Sequence, residues 1–349
     1  MARIPMVSVC IPSYNHARFL PATLESILGQ TFRDFEIIVV DDGSTDNSLE
    51  ILQSYVRKYP EIMRVFTHPG RQNQGISATD NLMIKEARGV YWCGHASDDV
   101  SYPDRFERQV AFLESHPDIG WVYGVADYID KNGTRLDGQF GCDLSAIPDL
   151  VEELILENRI AGATAMIRMK CMFEVGLFEP GLMYGDWEFL VRLAARYPGT
   201  FLPRAVAGYR CHDYNTSMSF PQIESLERCL ENFRYSLDVI TTLRRKADAV
   251  EGQLGRPRMK ALLDLRRAAF LLLLKDIESA SLAAADVFRS DPSFRKDLKQ
   301  LAHCLNRFKS LRLAFMMIRD LGYPPSWLAD MDFMSVLLRI GARRIWYRS

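Results

Sequence analysis

Four short polar clusters in this chain have the residue types and spacing to do chemistry. The first is Asp41-Asp42-Gly43-Ser44-Thr45-Asp46, a pair of carboxylates followed by a glycine turn and a helix start. The second is Ser97-Asp98-Asp99, preceded by Ala96. The third is Tyr184-Gly185-Asp186-Trp187-Glu188 and the fourth Tyr209-Arg210-Cys211-His212. A further group, Pro12-Ser13-Tyr14-Asn15, ends the apolar run Val7–Ile11. Carboxylates at such positions repel a bare phosphate. They suit a base N–H, a ribose hydroxyl or a metal ion, so a nucleotide held there is read through its base and sugar. A cation is then needed for its phosphates.

These clusters need a scaffold that brings strand ends together. The first half of the chain supplies one. Val7–Ile11, Phe35–Val40, Met63–Phe66, Val90–Cys93 and Ile119–Tyr123 read as strands. Phe35–Val40 is continuously apolar and β-branched at its centre, the pattern of a strand covered on both faces. Between them, Phe19–Leu28, Ser48–Tyr59, Ile76–Ala87 and Tyr102–Ser115 carry apolar residues at helical spacing. This alternation predicts an α/β domain with a mainly parallel sheet and helices on both faces. In such sheets ligands bind in the crevice at the carboxyl ends of the strands. Asp130-Lys131-Asn132-Gly133-Thr134 predicts a hairpin, Gly162–Met169 a further strand and Asp186–Tyr197 a helix. Strand signals disappear after Pro221. The boundary falls near Tyr214–Pro221, giving a catalytic domain over 1–215 and an α-helical region over 216–349.

Composition sets the limits. The chain has 349 residues, 48% apolar and 25% charged, with a formal net charge of -1. That charge provides no general attraction for nucleic acid. The cysteines number seven and are scattered, which fits reduced thiols in a cytoplasmic protein. Met1 leads almost directly into a strand, leaving no room for a signal peptide. The longest apolar run, Ala268–Leu274, is far short of the roughly 20 residues that cross a bilayer.

The motifs Pro12-Ser13-Tyr14-Asn15, Gln30-Thr31, Asp41–Asp46, Asn73 with Gly75, Ser97-Asp98-Asp99 and Pro103-Asp104 stand in the order and spacing of a known family. The chain resembles the family 2 glycosyltransferases of the GT-A, Rossmann-like fold. The likeness covers Pro5 to His212, about six-tenths of the sequence. It implies an enzyme that transfers a sugar from a nucleotide diphosphate, UDP by expectation, to a hydroxyl with inversion. Mg2+ or Mn2+ would be the cofactor and cell-surface polysaccharide or glycoconjugate the product.

The resemblance also distributes roles. Asp42 accepts the uracil N3–H, with Tyr14 and Pro12 lining the base pocket, Asn15 beside them and Asp41 as the second candidate. Asp98 aligns with the metal-binding acid of an Asp-x-Asp triplet whose first acid is Ala96 here, and Ser97 stands between them. Asp186 aligns with the general base. The preceding Glu of the family is Gly185, and Glu188 is the fallback acid. Trp187 packs on a sugar ring or in the core. His212 completes the metal shell or contacts phosphate, and Arg210 pairs with the diphosphate. The family's Arg-Asn pair reads Asp80-Asn81, leaving Arg71, in the loop with Asn73 and Gly75, to supply the lost charge.

Two other classes stay open. A nucleotidyltransferase would attack phosphorus and release pyrophosphate. A non-catalytic sugar-nucleotide or glycan-binding module would explain the missing acids at Ala96 and Gly185. Residues 307–349 hold eight Lys/Arg against three Asp/Glu, interleaved with apolar residues. That pattern fits a peripheral contact with the inner face of a membrane, where a lipid-linked acceptor would lie, or a helix packed on the catalytic domain.

Overall fold

The computed structural model describes residues 4–212, 215, 226–249, 253–273, 279, 283, 286–287 and 289–291. The chain divides into two compact units. One comprises Met1–Leu150 with Arg159–Asn215, the other Val151–Asn158 with Thr216–Ser349.

The first unit is built in the order β1 (Val7–Ser13), α1 (Leu20–Leu28), β2 (Phe35–Asp41), α2 (Ser48–Lys58), β3 (Met63–Thr67), α3 (Ile76–Glu86), β4 (Tyr91–Gly94), β5 (Val100–Ser101), α4 (Arg105–Ser115), β6 (Trp121–Ile129) and β7 (Arg135–Phe140). After α5 (Leu150–Leu156), most of which belongs to the second unit, come β8 (Met166–Arg168), α6 (Met169–Val175), α7 (Gly185–Arg196) and β9 (Gly199–Arg210). The strands join in one sheet in the order β3-β2-β1-β4-β8-β6-β9-β5, with β7 paired to β6. The pairs β1–β2, β1–β4, β2–β3 and β6–β9 are parallel. The pairs β4–β8, β6–β8, β5–β9 and β6–β7 are antiparallel. The expected parallel sheet thus occupies the β3-β2-β1-β4 half, and the other half is mixed.

Each residue of β2 is buried, as its continuous apolar run requires. Val7, Val9 and Ile11 of β1 and Ile37 and Val39 of β2 join Leu20, Leu24 and Ile27 of α1 in the main core. Each such side chain contributes about 1.5–3 kcal/mol on burial. The polar members of the core act on loops at the strand ends. Arg105 is fully buried, and its guanidinium donates to Gly94 O and Ala165 O. Gln30 accepts Phe106 N–H and donates to Tyr102 O, fixing the start of α4.

Sequence and structure part in a few places. Tyr102 was expected to open a helix, but its N–H bonds Val206 O, and Val100 and Ser101 pair with β9. The proline that follows Tyr102 favours that extended backbone. Only Met166–Arg168 of the expected strand Gly162–Met169 is extended, and Gly162–Thr164 forms a 3-10 turn. The Asn132-Gly133 hairpin joins β6 and β7 as expected.

In the second unit, α8 (Leu226–Ala249) and α9 (Pro257–Leu273) are helical. Arg244 bridges Asp248 and Asp264 between them. Arg258 of α9 pairs with Glu152 of α5. No described helix is long and apolar enough to cross a membrane. The basic stretch 307–349 lies outside the described residues.

Candidate active site

The carboxyl ends of β1, β2 and β4 lie side by side, because Ser13 registers with Asp41 and Cys10 with Gly94. The loops that follow β1 and β2 are stitched together. Asn15 sits at φ 54°, a left-handed conformation that Asn tolerates. Its N–H donates to Ser44 Oγ, and its Oδ1 accepts Thr45 N–H. The N–H groups of His16 and Ala17 donate to Ser48 Oγ and Asp46 Oδ2.

Asp42 faces the loop before α3. Its Oδ1 accepts Gln74 N–H at 2.7 Å and its Oδ2 accepts Gly75 N–H at 3.0 Å. His68 Nε2 lies 3.5 Å from Oδ1. Gly43 permits this approach, since a Cβ there would lie 2.6 Å from Arg71 O. Each carboxylate oxygen keeps a second lone pair for a ligand N–H, and Tyr14 presents an exposed ring at the end of β1. Pro12 is half-buried on the same strand. Asp41 is fully buried, with Oδ1 capping Ser44 N–H, so Asp42 is the better placed of the two. Arg71 and Asn73 are exposed in the loop, and Asn73 Oδ1 braces Gly75 N–H.

A second centre forms where β1, β4 and β9 end. His16, Asp98 and His212 bring one ligand atom each to within 4.8 Å of one another. His212 Nε2 lies 3.0 Å and His16 Nε2 3.9 Å from Asp98 Oδ2. Ser97 Oγ lies 2.8 Å from His16 Nδ1. With the Nδ1 proton in that bond, Nε2 is left as a lone pair toward Asp98. Phe19 stacks on His212 with ring centroids 4.6 Å apart, and Thr23 Oγ1 donates to Ser97 O and Asp99 O.

Charge follows this geometry. Burial alone would raise the Asp98 carboxyl, but the His212 hydrogen bond and the two neighbouring imidazoles outweigh it and hold its pKa below the usual range. Burial and the Asp98 charge push Asp99 well up. Burial lowers His16, against the attraction of Asp98. The donor set of two imidazole nitrogens and a carboxylate oxygen fits a divalent transition ion. The nitrogens weigh against Mg2+, whose shell is oxygen-rich. His16 went unread in the sequence, although a histidine directly after a strand-end motif is the available signal.

Arg210 corrects an expectation. Its guanidinium is buried and donates to the carbonyls of Asp98, Asp130 and Lys131, while its N–H bonds Asp99 Oδ1 at 2.8 Å. It is a strut for the acidic loop and not a free partner for a diphosphate. Of the two readings of Trp187, its burial favours the core over a sugar ring. Glu188 is fully buried and forms a two-point ion pair with Arg192 at 2.7 and 2.8 Å, so it is no reserve base.

Asp186, in the first turn of α7, remains exposed to solvent. Trp187 N–H donates to its Oδ1. Protein mass crowding around it limits hydration and raises its pKa. Gly162 lies against it, since a Cβ at that glycine would sit 2.8 Å from Oδ2. Gly185 leaves room for Ser77 of α3, whose Oγ would be 2.5 Å from a Cβ at Gly185. The missing acid at this position is thus a steric fit to α3.

Comparison with known proteins bears on the family and the fold. Residues 8–172 match the family model described as Glycosyl transferase family 2. The chondroitin synthase of Escherichia coli is 30% identical over 158 residues, 45% of this chain and 22% of that protein. The chain spans 22% to 32% of the length of three curated relatives it matches. Among solved structures, S. aureus TarS 1-349 with UDP-GlcNAc superposes with a TM-score of 0.58 at 18% identity, covering 89% of this chain and 92% of that one. The mannosyltransferase PcManGT of Pyrobaculum calidifontis, with GDP-Man and Mn2+, gives 0.55 at 15% identity, covering 99% of this chain and 89% of that one. At these identities the superpositions speak for the fold.

Proposed function

We propose that this chain, which belongs to glycosyl transferase family 2, moves a sugar from a nucleotide diphosphate donor to a hydroxyl acceptor, with inversion at the anomeric carbon. The observation that carries the reading is the convergence of His16, Asp98 and His212, with the backbone of Asn15 and His16 bonded to the segment that follows Asp42. Asp42 receives the N–H of the donor base, with Tyr14 stacking on it, and a UDP-linked donor suits that acceptor. Asp98, His16 and His212 would hold a divalent cation, which supplies positive charge for the departing diphosphate.

The protein's own steps centre on Asp186. An alcohol is a poor nucleophile, and Asp186, open to solvent at the start of α7, takes its proton during attack. The raised pKa makes this carboxylate a stronger base than a free aspartate. Inversion in a single displacement needs no enzyme nucleophile. Arg210 and Thr23 keep the Asp98–Asp99 backbone in place while charge shifts across the site. The complexes of similar folds with UDP-GlcNAc and with GDP-Man and Mn2+ support a nucleotide-sugar donor here. Glycan or lipid-linked hydroxyls are the acceptors we infer.

The test is a screen of nucleotide sugars by thermal shift and donor hydrolysis, with and without Mn2+. Stabilisation by one nucleotide sugar, with metal-stimulated release of the nucleoside diphosphate, is the expected result. Release of pyrophosphate, or no response to any donor, would overturn it.

A further inference from the structure

Asp80 is a carboxyl for which the site described above has no use. It lies on α3, on the same helical face as Ser77 and Asn81. Those neighbours fasten this face to the segment leading into Asp186. Ser77 Oγ donates to Leu182 O, and Asn81 exchanges two hydrogen bonds with the backbone of Phe178. Asp80 itself makes no hydrogen bond or ion pair among the described residues and is half-buried. The titratable groups coupled to it electrostatically are Asp186 of α7 and the Cys10 thiol of β1. Burial and the Asp186 charge push its pKa up to about 8.

Helix α3 runs between the two ends of the proposed donor site. Gly75, its N-terminal cap, holds Asp42 at the nucleotide end. Five residues on, at about 7.5 Å along the axis, Asp80 lies on the helical face that Ser77 and Asn81 tie to the segment leading into Asp186. A carboxyl between the base-reading acid and the proton-accepting acid stands where the transferred sugar must pass. We propose that Asp80 binds the donor's sugar ring, exchanging hydrogen bonds with its hydroxyls, and so contributes to the choice of sugar. The assignment rests on the functional reading above.

The experiment measures binding of UDP and of a panel of UDP-hexoses to the wild-type chain and to Asp80→Asn, with Mn2+ present. Near neutral pH a carboxyl whose pKa is about 8 is mostly protonated, so its hydrogen bond to a sugar hydroxyl is a neutral one, worth about 2- to 10-fold in affinity. Asp80→Asn should weaken the preferred UDP-hexose by that factor and flatten discrimination across the panel, while UDP binds as before. Retained UDP affinity also reports an intact fold. Equal UDP-hexose affinity in the variant would overturn the assignment alone. Loss of UDP binding along with the sugar would overturn it too, by making Asp80 a structural residue of the cleft. A wild-type chain that binds UDP but no UDP-hexose would remove the functional reading and this inference together.

Discussion

Replacing His16 by Ala tests the cation site at the residue the motifs do not reveal. His16 offers one of three ligand atoms lying within 4.8 Å of one another. Its Nε2 is 3.9 Å from Asp98 Oδ2, and its Nδ1 is fixed by Ser97 Oγ at 2.8 Å. Loss of an outer partner of a metal ligand costs about 10–100-fold in affinity. Removing a donor itself belongs at the upper end, about 100-fold or about 2.7 kcal/mol. Ser97→Ala removes only the orienting bond and belongs at the lower end, about 10-fold. Titration of Mn2+ against protein saturated with UDP, followed by the electron paramagnetic resonance of free Mn2+, measures both without relying on turnover. His16→Ala should also narrow any preference for Mn2+ over Mg2+, because it removes a nitrogen donor. Unchanged Mn2+ affinity in His16→Ala, with Asp98→Ala strongly impaired, would refute the role given to His16.

Other expectations concern the supports of the site. Gly185→Ala places a Cβ 2.5 Å from Ser77 Oγ and should cost about 1–3 kcal/mol in a denaturant melt. Adding Ser77→Ala should recover part of that loss, and no recovery would point to strain elsewhere. Arg210→Met removes three backbone-directed donations and should lower the melting temperature and weaken Mn2+ binding together; an effect on UDP turnover alone would contradict the strut role. Asp80 has a folded pKa raised from 3.8 to about 8, so its contribution to stability is present below the lower value and lost as pH rises through the upper. Metal-free Asp80→Asn should therefore gain on the wild type in melting temperature as pH climbs across that window, with no further gain above it. A constant difference from pH 4 to pH 8 would reject the shift.

Much of this was legible in the residues. The β-branched run Phe35–Val40 could only be a doubly covered strand, and β2 is buried throughout. Asp42, Asp98 and Asp186 could be named as candidates because each lies just past a strand or at the start of a helix. What the motifs did not disclose was the use of each side chain. Arg210 and Glu188 are charged residues in the right motifs, yet their partners are a loop backbone and Arg192. The Arg210 contacts join separate elements and no local pattern encodes them, whereas Glu188 and Arg192 are an i, i+4 pair within α7 that helical spacing could have disclosed. His16 was hidden for the same reason as Arg210, since its neighbours Asp98 and His212 lie 82 and 196 positions further along the chain. Gly185 looked like a loss of function until Ser77 of α3 was found against it.

The central claim is that one crevice grips the donor while Asp186 activates the acceptor. The most direct measurement is the turnover number of Asp186→Asn set beside its affinities for UDP and Mn2+. The account predicts a fall of about 10²–10⁴-fold in kcat with both affinities unchanged. Turnover close to wild type, or loss of UDP binding in step with activity, would contradict it.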